Sequence, residues 1–182
     1  MEKAAKKGKV PKKLTVKKPK KKKKELCKSV LRKIRATKEK QKRLKIIKAI
    51  ARSQVPWANE VLLHALEDSS EEIHNFIINE LGNREDLDLN KVYQKIAEPP
   101  WYVKSCCLKI LGIKKNTNSV KYIEAVLKEP NVDVRRTAAH ALGEIGGREA
   151  LELLAKLIQD KSLFVRTSAK EALKKASRLK FS

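Results

Sequence analysis

Apolar residues recur along this chain at helical rather than strand spacing, and they recur in paired stripes. One set reads Val61, Leu62, Ala65, Leu66; Val92, Ile96; Ile123, Val126, Leu127; and Leu151, Leu154, Leu157, Ile158. A second set follows a polar turn each time: Ile73, Phe76, Ile77, Leu81; Val103, Cys107, Ile110, Leu111; Val134, Ala138, Leu142, Ile145; and Val165, Ala169, Leu173. Separations of three and four residues put each group on one helix face. Upstream, Leu26, Val30, Leu31 and Ile34 keep the same spacing, with Lys and Arg filling most remaining positions. The pattern predicts ten helices and almost no strand, over roughly residues 25–36, 38–52, 56–67, 70–82, 87–97, 99–112, 117–128, 131–144, 147–159 and 161–178. Ser69 with Glu72 fits a capping box, and Pro56 and Pro100 suit first helical turns. Gly82, Gly112 and Gly143 stand where second helices should end, and Gly146-Gly147 reads as a turn.

The stripes are copies of one unit. Pro130-Asn131-Val132-Asp133-Val134-Arg135 returns as Lys161-Ser162-Leu163-Phe164-Val165-Arg166, a step of 31 residues. Earlier copies of the aliphatic-basic pair are Val103-Lys104 and Ile73-His74, while Leu81-Gly82, Leu111-Gly112 and Leu142-Gly143 step by 30 and 31. An acid stands five residues before each pair, as Asp68, Glu98, Glu129 and Asp160. Three features kept in phase define helix-pair repeats at about residues 25–52, 56–82, 87–112, 117–145 and 147–180. The fold class expected is all-α, an α-solenoid of about five helix pairs over 25–182, preceded by a disordered Lys-rich tail over 1–24.

The phrase Asp160…Val165-Arg166…Ala169…Leu173 and its copies resembles the HEAT repeat, over about residues 37–182. The short step is similar to the HEAT-like subtype named after phycobilisome lyases. The first copy departs from it, with Thr37 in the acid's place and Arg43 following Lys42 rather than an aliphatic. The resemblance implies a ladder of contacts between the turn acid and the basic residue opening the second helix. Carried over, that pairs Asp68 with His74, Glu98 with Lys104, Glu129 with Arg135 and Asp160 with Arg166. His74 and Lys104 lack the planar fork of Arg. The ladder is read as structural. The resemblance also implies that second helices line the concave face.

Charge changes the picture because it is uneven. The net charge is +23, with 44 Lys+Arg against 21 Asp+Glu; residues 1–50 hold +20 of it and residues 51–182 only +3. By helix layer, second helices sum to +13 and first helices from residue 56 onward to −6. Such a bias suits a surface facing a polyanion. Residues 1–24 carry 13 Lys and one acid, too little apolar content to offset the entropy of ordering. Lys17, Lys18, Lys20, Lys21, Lys22, Lys23 and Lys24, with Lys42, Arg43 and Lys45, are the candidate nucleic-acid contacts. Lys in place of Arg, without aromatics in the arm, favours nonspecific phosphate contact over base reading. The same run resembles a monopartite nuclear localisation signal, if the source is eukaryotic.

Little else offers chemistry. The histidines, His64, His74 and His140, are not followed by Glu, so the His-Glu iron ligands of deoxyhypusine hydroxylase-type repeat enzymes are missing. Neither a phosphate-binding loop nor a dinucleotide fingerprint occurs. Cys106-Cys107 has no C-x-x-C partner and falls on an apolar face; three cysteines, with Cys27, fit a reduced intracellular setting. No apolar run is long enough to span a membrane, and the Lys-rich start has no apolar stretch behind it of the kind a secretory signal has. The expectation is a non-enzymatic scaffold without metal or cofactor, cytoplasmic or nuclear. It docks a protein partner through the solenoid and holds DNA, RNA or another polyanion through the basic arm and the helices of residues 25–52. The alternative is a pure protein scaffold or assembly chaperone of the phycobilin-lyase type, its arm a solubility or targeting tag. The third reading is an alkylpurine DNA glycosylase-like enzyme, a class for which this chain is short.

Overall fold

The computed structural model of the chain describes residues 19–53 and 55–179. These fold into ten α-helices: α1 (Pro19–Ala36), α2 (Lys40–Arg52), α3 (Ala58–Ala65), α4 (Glu71–Asn83), α5 (Leu89–Ala97), α6 (Trp101–Lys114), α7 (Val120–Glu124), α8 (Val132–Ile145), α9 (Arg148–Leu157) and α10 (Leu163–Leu179). A 3-10 turn at Thr117–Ser119 opens α7, and no strand occurs among the described residues. The architecture is the expected one, five antiparallel pairs stacked in chain order. Odd-numbered helices form one layer and even-numbered helices the other.

The tail expected over 1–24 falls on Met1–Lys18 outside the described residues. From Pro19 the chain is helical, six residues earlier than the apolar pattern marks. Proline is tolerated in a first turn and lysine has good helix propensity, so a run without apolar residues extends α1 backwards. The stripe α1 buries is Cys27, Leu31 and Ile34; Leu26, expected in it, is 49% exposed.

The core is one continuous seam between the layers. Leu62 and Leu66 of the first layer, and Ile73, Ile77, Leu81, Ile110, Leu111 and Leu142 of the second, are fully buried. Each such side chain contributes about 1.5–3 kcal/mol relative to exposure. In α9 the buried stripe turns to Ala150, Leu153, Leu154 and Leu157, leaving Leu151 and Ile158 half-buried. Only five residues after the 3-10 turn are α-helical in α7; the chain then closes in turns, with Val126 N donating to Ile123 O and Leu127 N to Glu124 O. Stacking of Tyr93 on Tyr122, and a 3.0 Å bond between the Tyr93 hydroxyl and buried Ser119, tie α5 to that segment.

The repeated glycines do not cap helices. Gly82, Gly112 and Gly143 lie one or two residues inside α4, α6 and α8. They are instead contact points between successive second helices. A Cβ on Gly82 would lie 2.7 Å from Ile113, one on Gly112 3.3 Å from the Ala141 Cα, and one on Gly143 2.7 Å from the Ala172 Cβ. These approaches draw α4, α6, α8 and α10 into the most tightly packed layer of the molecule. α2 is the exception, resting on α1 and α3 rather than extensively on α4. Positive φ is confined among the described residues to Lys115, at 50°, and to Gly146 and Gly147, at 68° and 85°. Two successive positive-φ positions make the α8–α9 turn one that glycine alone adopts without strain.

The capping box is also absent. Ser70, not Ser69, precedes α4 and makes no side-chain cap; its amide donates to the Asp68 carboxylate at 2.9 Å. Pro56 lies in the turn ahead of α3, and Pro100 is the residue before α6. A true side-chain cap forms at α8, where Asn131 accepts from the Asp133 and Val134 amides.

Gly143→Ala tests the packing. Helix propensity alone favours alanine by up to about 1 kcal/mol, whereas forcing a methyl against Ala172 costs about 1–3 kcal/mol. The expected result is a lower urea midpoint, by about 1 kcal/mol of stability, with a smaller loss for Gly112→Ala. A stabilised Gly143→Ala variant would show that the helices are free to separate.

Candidate docking groove and the ladder beneath it

The ladder runs between repeats, not within them. Arg43 Nε and Nη2 donate to the two Asp68 carboxylate oxygens at 2.6 and 3.1 Å. Arg135 Nε and Nη2 hold Asp160 in the same way at 2.8 and 3.0 Å. Lys104 Nζ reaches Glu129 at 2.6 Å. In each rung the acid lies 25 residues downstream, in the turn of the next helix pair. The expected partners within one repeat meet differently. Arg135 Nη1 donates to the backbone carbonyls of Glu129 and Pro130 at 2.6 and 3.0 Å, and Arg43 Nη1 to those of Thr37 and Lys38. Arg166 Nη1 repeats the pattern on Asp160 and Lys161, at 2.8 and 3.1 Å. One guanidinium thus closes its own turn with one edge and grips the next turn with the other.

At His74 the register slips. His74 Nε2 donates to the Asp68 carbonyl and its ring stacks on Tyr102, with centroids 5.7 Å apart. Glu98, expected opposite Lys104, is instead 3.3 Å from Lys95. Lys95 is buried on α5 and bridges to Glu67 at 2.7 Å, while Arg35 of α1 takes the other Glu67 oxygen at 2.7 Å. Burial alone pushes the Glu67 carboxyl up, but the Lys95 hydrogen bond and nearby positive charge outweigh it and hold the group below its ordinary value. Lys95 was invisible to sequence reasoning, because a lysine among apolar positions reads as surface.

The candidate polyanion contacts scatter. Lys17 and Lys18 lie outside the described residues. Lys20, Lys21 and Lys22 fall in the opening turns of α1, where Lys23 is half-buried and Lys24 exposed. Lys42 pairs with Glu39 at 2.6 Å, and Arg43 is committed to the ladder. Lys45 is exposed, with no ion pair among the described residues. Lys28 and Arg32, within the expected helices but not singled out among the candidate residues, extend Lys24 into an exposed stripe at i, i+4 and i+8 along α1. Successive cations there rise about 6 Å along the axis. The i, i+4 spacing was legible; what hid it was reading the first lysines as tail.

The positive surplus of the second-helix layer is also not a uniform stripe. Arg43, Lys104 and Arg135 are in rungs, Lys40 pairs with Glu72, Lys114 donates to the Arg84 carbonyl and Lys175 pairs with Glu144. Across α4, α6 and α8 the open face is an amphipathic groove of about 1000 Å³. Its floor includes Ile78, Gly112 and Ala141. Trp101 and Ile113, 47% and 37% exposed, give it large apolar anchors. Lys109 and Lys115 stand on its rim without ion pairs among the described residues, whereas Arg136 pairs with Asp133 at 3.2 Å. The Ser105 hydroxyl is buried within the lining and has no hydrogen-bond partner among the described residues. His140 lines the groove and is exposed.

Reactive chemistry is sparse. Burial pushes the Cys106 thiol up to about 11 and the Cys107 thiol up to about 12, and Cys27 is raised by burial as well. Among the described residues no cluster of His, Cys, Asp and Glu could hold a metal ion, and no helix is long and apolar enough to cross a membrane.

With this geometry in view, the family model for HEAT repeats matches residues 89–174, from α5 into α10. No curated protein matches the chain.

Two outcomes follow from the buried groups. The Arg135 hydrogen bond holds the Asp160 carboxyl below its ordinary value. Its stabilisation is therefore present above about pH 4 and is lost as pH falls through the lower folded value. Asp160→Ala strands a buried guanidinium and should cost about 3 kcal/mol at pH 7. In denaturation series that gap should narrow below about pH 4; a gap constant down to acid unfolding would remove the rung from the ladder's energetics. Cys106 and Cys107 should resist iodoacetamide at pH 8 until the chain unfolds, read by mass spectrometry. Rapid native alkylation would mean that α6 opens locally.

Proposed function

From the HEAT repeats over residues 89–174, we propose that this chain is a non-enzymatic binding scaffold. The groove on α4, α6 and α8 docks a protein partner, and the basic front of the molecule holds nucleic acid or another polyanion nonspecifically. The observation that carries the first half is the groove itself. Exposed apolar anchors set among polar side chains form the layout of a protein-binding surface, and Trp101 is of a residue type often dominant in such sites. HEAT repeats generally act as scaffolds of this kind.

The second half rests on the Lys24, Lys28, Arg32 stripe together with the lysines of residues 1–23. Their spacing along one helix face matches backbone contact, which gives affinity without sequence reading. Three of the six cations of α2, Lys40, Lys42 and Arg43, each meet an acid, whereas Lys24, Lys28 and Arg32 of α1 make no ion pair among the described residues, which favours α1 over α2 as the contact surface. The pairing on α2 also supports the second reading, a pure protein scaffold of the phycobilin-lyase HEAT type whose arm is a solubility or targeting tag.

Fluorescence anisotropy on a random duplex separates the two. The full chain should bind with an affinity that falls steeply with salt, and Lys24→Glu/Lys28→Glu/Arg32→Glu should flatten the log–log slope by about 2.7, three phosphates at about 0.9 each. In a nuclease-treated pull-down, Trp101→Ala/Ile113→Ser should lose the protein partner while leaving the salt-dependent binding intact. Absence of duplex binding at low salt leaves the scaffold reading alone; partner capture indifferent to Trp101 and Ile113 overturns the groove.

A further inference from the structure

The groove over α4, α6 and α8 has an order along its length. Trp101, Ser105, Lys109 and Ile113 follow one another at every fourth residue of α6, and all four line it. Trp101 and Ile113, the exposed apolar anchors, are thus separated by a rise of about 18 Å. The lining also has hydrogen-bonding capacity that the fold does not use. The Ser105 hydroxyl is buried without a partner among the described residues. Asn75 and Asn79, 30 residues before Ser105 and Lys109, hold the equivalent positions on α4. Both are exposed and make no side-chain hydrogen bond among the described residues. The charges are unevenly spent. Both acids of the lining are engaged, Asp133 by Arg136 at 3.2 Å and Glu144 by Lys175. Lys109 and Lys115 have no ion pair among the described residues.

We infer that the occupant of this groove is an extended segment of a partner protein, lying along α6, with an apolar side chain at each end and an acid between them. The inference rests on the groove being a docking surface, and adds the form and charge of what docks. Spacing carries the form. Successive lining positions of α6 rise by about 6 Å. Alternate residues of an extended chain, which point to one side, advance by about 6.6 Å. Four such residues of a seven-residue segment therefore meet Trp101, Ser105, Lys109 and Ile113 in turn. Hydrogen bonding selects the same form. Docking takes water from Asn75, Asn79 and Ser105, and each group left unpaired costs about 1–3 kcal/mol. Every peptide unit of an extended segment offers a donor and an acceptor, as does the side-chain amide of Asn. A docked helix has spent its main-chain groups internally. Charge selects the acid, since the cation between the two anchors, Lys109, is unpaired while the acids beside it are not. The lysine-rich residues 1–18 of this chain carry the wrong sign for that lining.

Titration of the ¹⁵N-labelled full chain tests this. The probes are the capped peptides Leu-Thr-Ser-Thr-Glu-Thr-Leu and Leu-Thr-Glu-Thr-Ser-Thr-Leu, which run the pattern in the two chain directions. One of them should shift the Trp101 indole N–H and the Asn75 and Asn79 side-chain amide signals saturably, while the Trp57 indole stays in place. Methylating two peptide nitrogens of that probe, which removes two main-chain donors, should weaken binding about tenfold, and so should Asn75→Ala/Asn79→Ala. Lys109→Glu reverses an exposed charge and should reverse the preference, toward a probe with Lys in place of Glu. A lactam-locked helical peptide with Leu and Glu on one face is the control. If it shifts the same signals and binds more tightly than either extended probe, the proposal falls and the groove stands as a docking surface. Silence at Trp101, Asn75 and Asn79 with every peptide at millimolar concentration removes both. A Lys109→Glu variant indifferent to the charge of the probe overturns the acid. A dimer in sedimentation that Lys109→Glu dissolves assigns the groove to a second copy and overturns the proposal as well.

Discussion

No pair of these helices can bury its own apolar stripe, so every pair leans on the next, and the closeness of that lean is set where one second helix meets another. Gly82, Gly112 and Gly143 let a backbone come within contact distance of Ile113, Ala141 and Ala172. Helices packed this tightly on one layer, and less tightly on the other, leave a stack that curves. The groove over α4, α6 and α8 is the open surface of the tight layer. Its depth follows from small residues, Gly112 and Ala141, lying in its floor between larger walls. Packing that fixes the fold therefore also shapes the site.

The ladder adds direction to this packing. Apolar seams set the separation of helices, but dispersion contacts have no donor–acceptor direction. A guanidinium with one edge on its own turn and the other on the next acid does have one, since both halves need their angles. Buried at Arg135 and Asp160, such a pair is weak as a net source of stability but strong as a specification of register. The acid, in turn, accepts the Ser162 amide, so the same carboxylate helps to open the following helix.

Much of this was legible in sequence. Steps of 30 and 31 residues gave the repeats, and spacing of three and four gave the helices to within a few residues at most ends. The rungs were half legible: the acids and bases were found, but paired inside repeats, because sequence proximity is a poor guide to which turn a side chain reaches. The 25-residue interval appears only once the stack exists. Glycines at helix ends invite a capping reading, and only the neighbouring helix reveals them as contact points. Lys95 and the Glu67 cluster, and the placement of Trp101 and Ile113 along one groove with α4 and α8, depend on tertiary contact alone. Charge sums by layer missed the pairing of several second-helix cations, since a sum cannot see a partner in space.

The rung at His74 has a mechanical consequence. The junctions at Arg43 and Arg135 are held by bidentate forks, which resist rotation. Between α4 and α6 the same position holds a ring stacked on Tyr102. Stacked faces slide and tilt at little cost, and the Lys95 ammonium that supplements them is a point charge with no preferred plane. Lys104, which meets Glu129 at the next joint, is likewise a point charge without a fork, so two adjoining joints, α4–α6 and α6–α8, lack the bidentate grip. The groove over α4, α6 and α8 thus lies where the forks are missing, between the forked joints at Arg43 and Arg135.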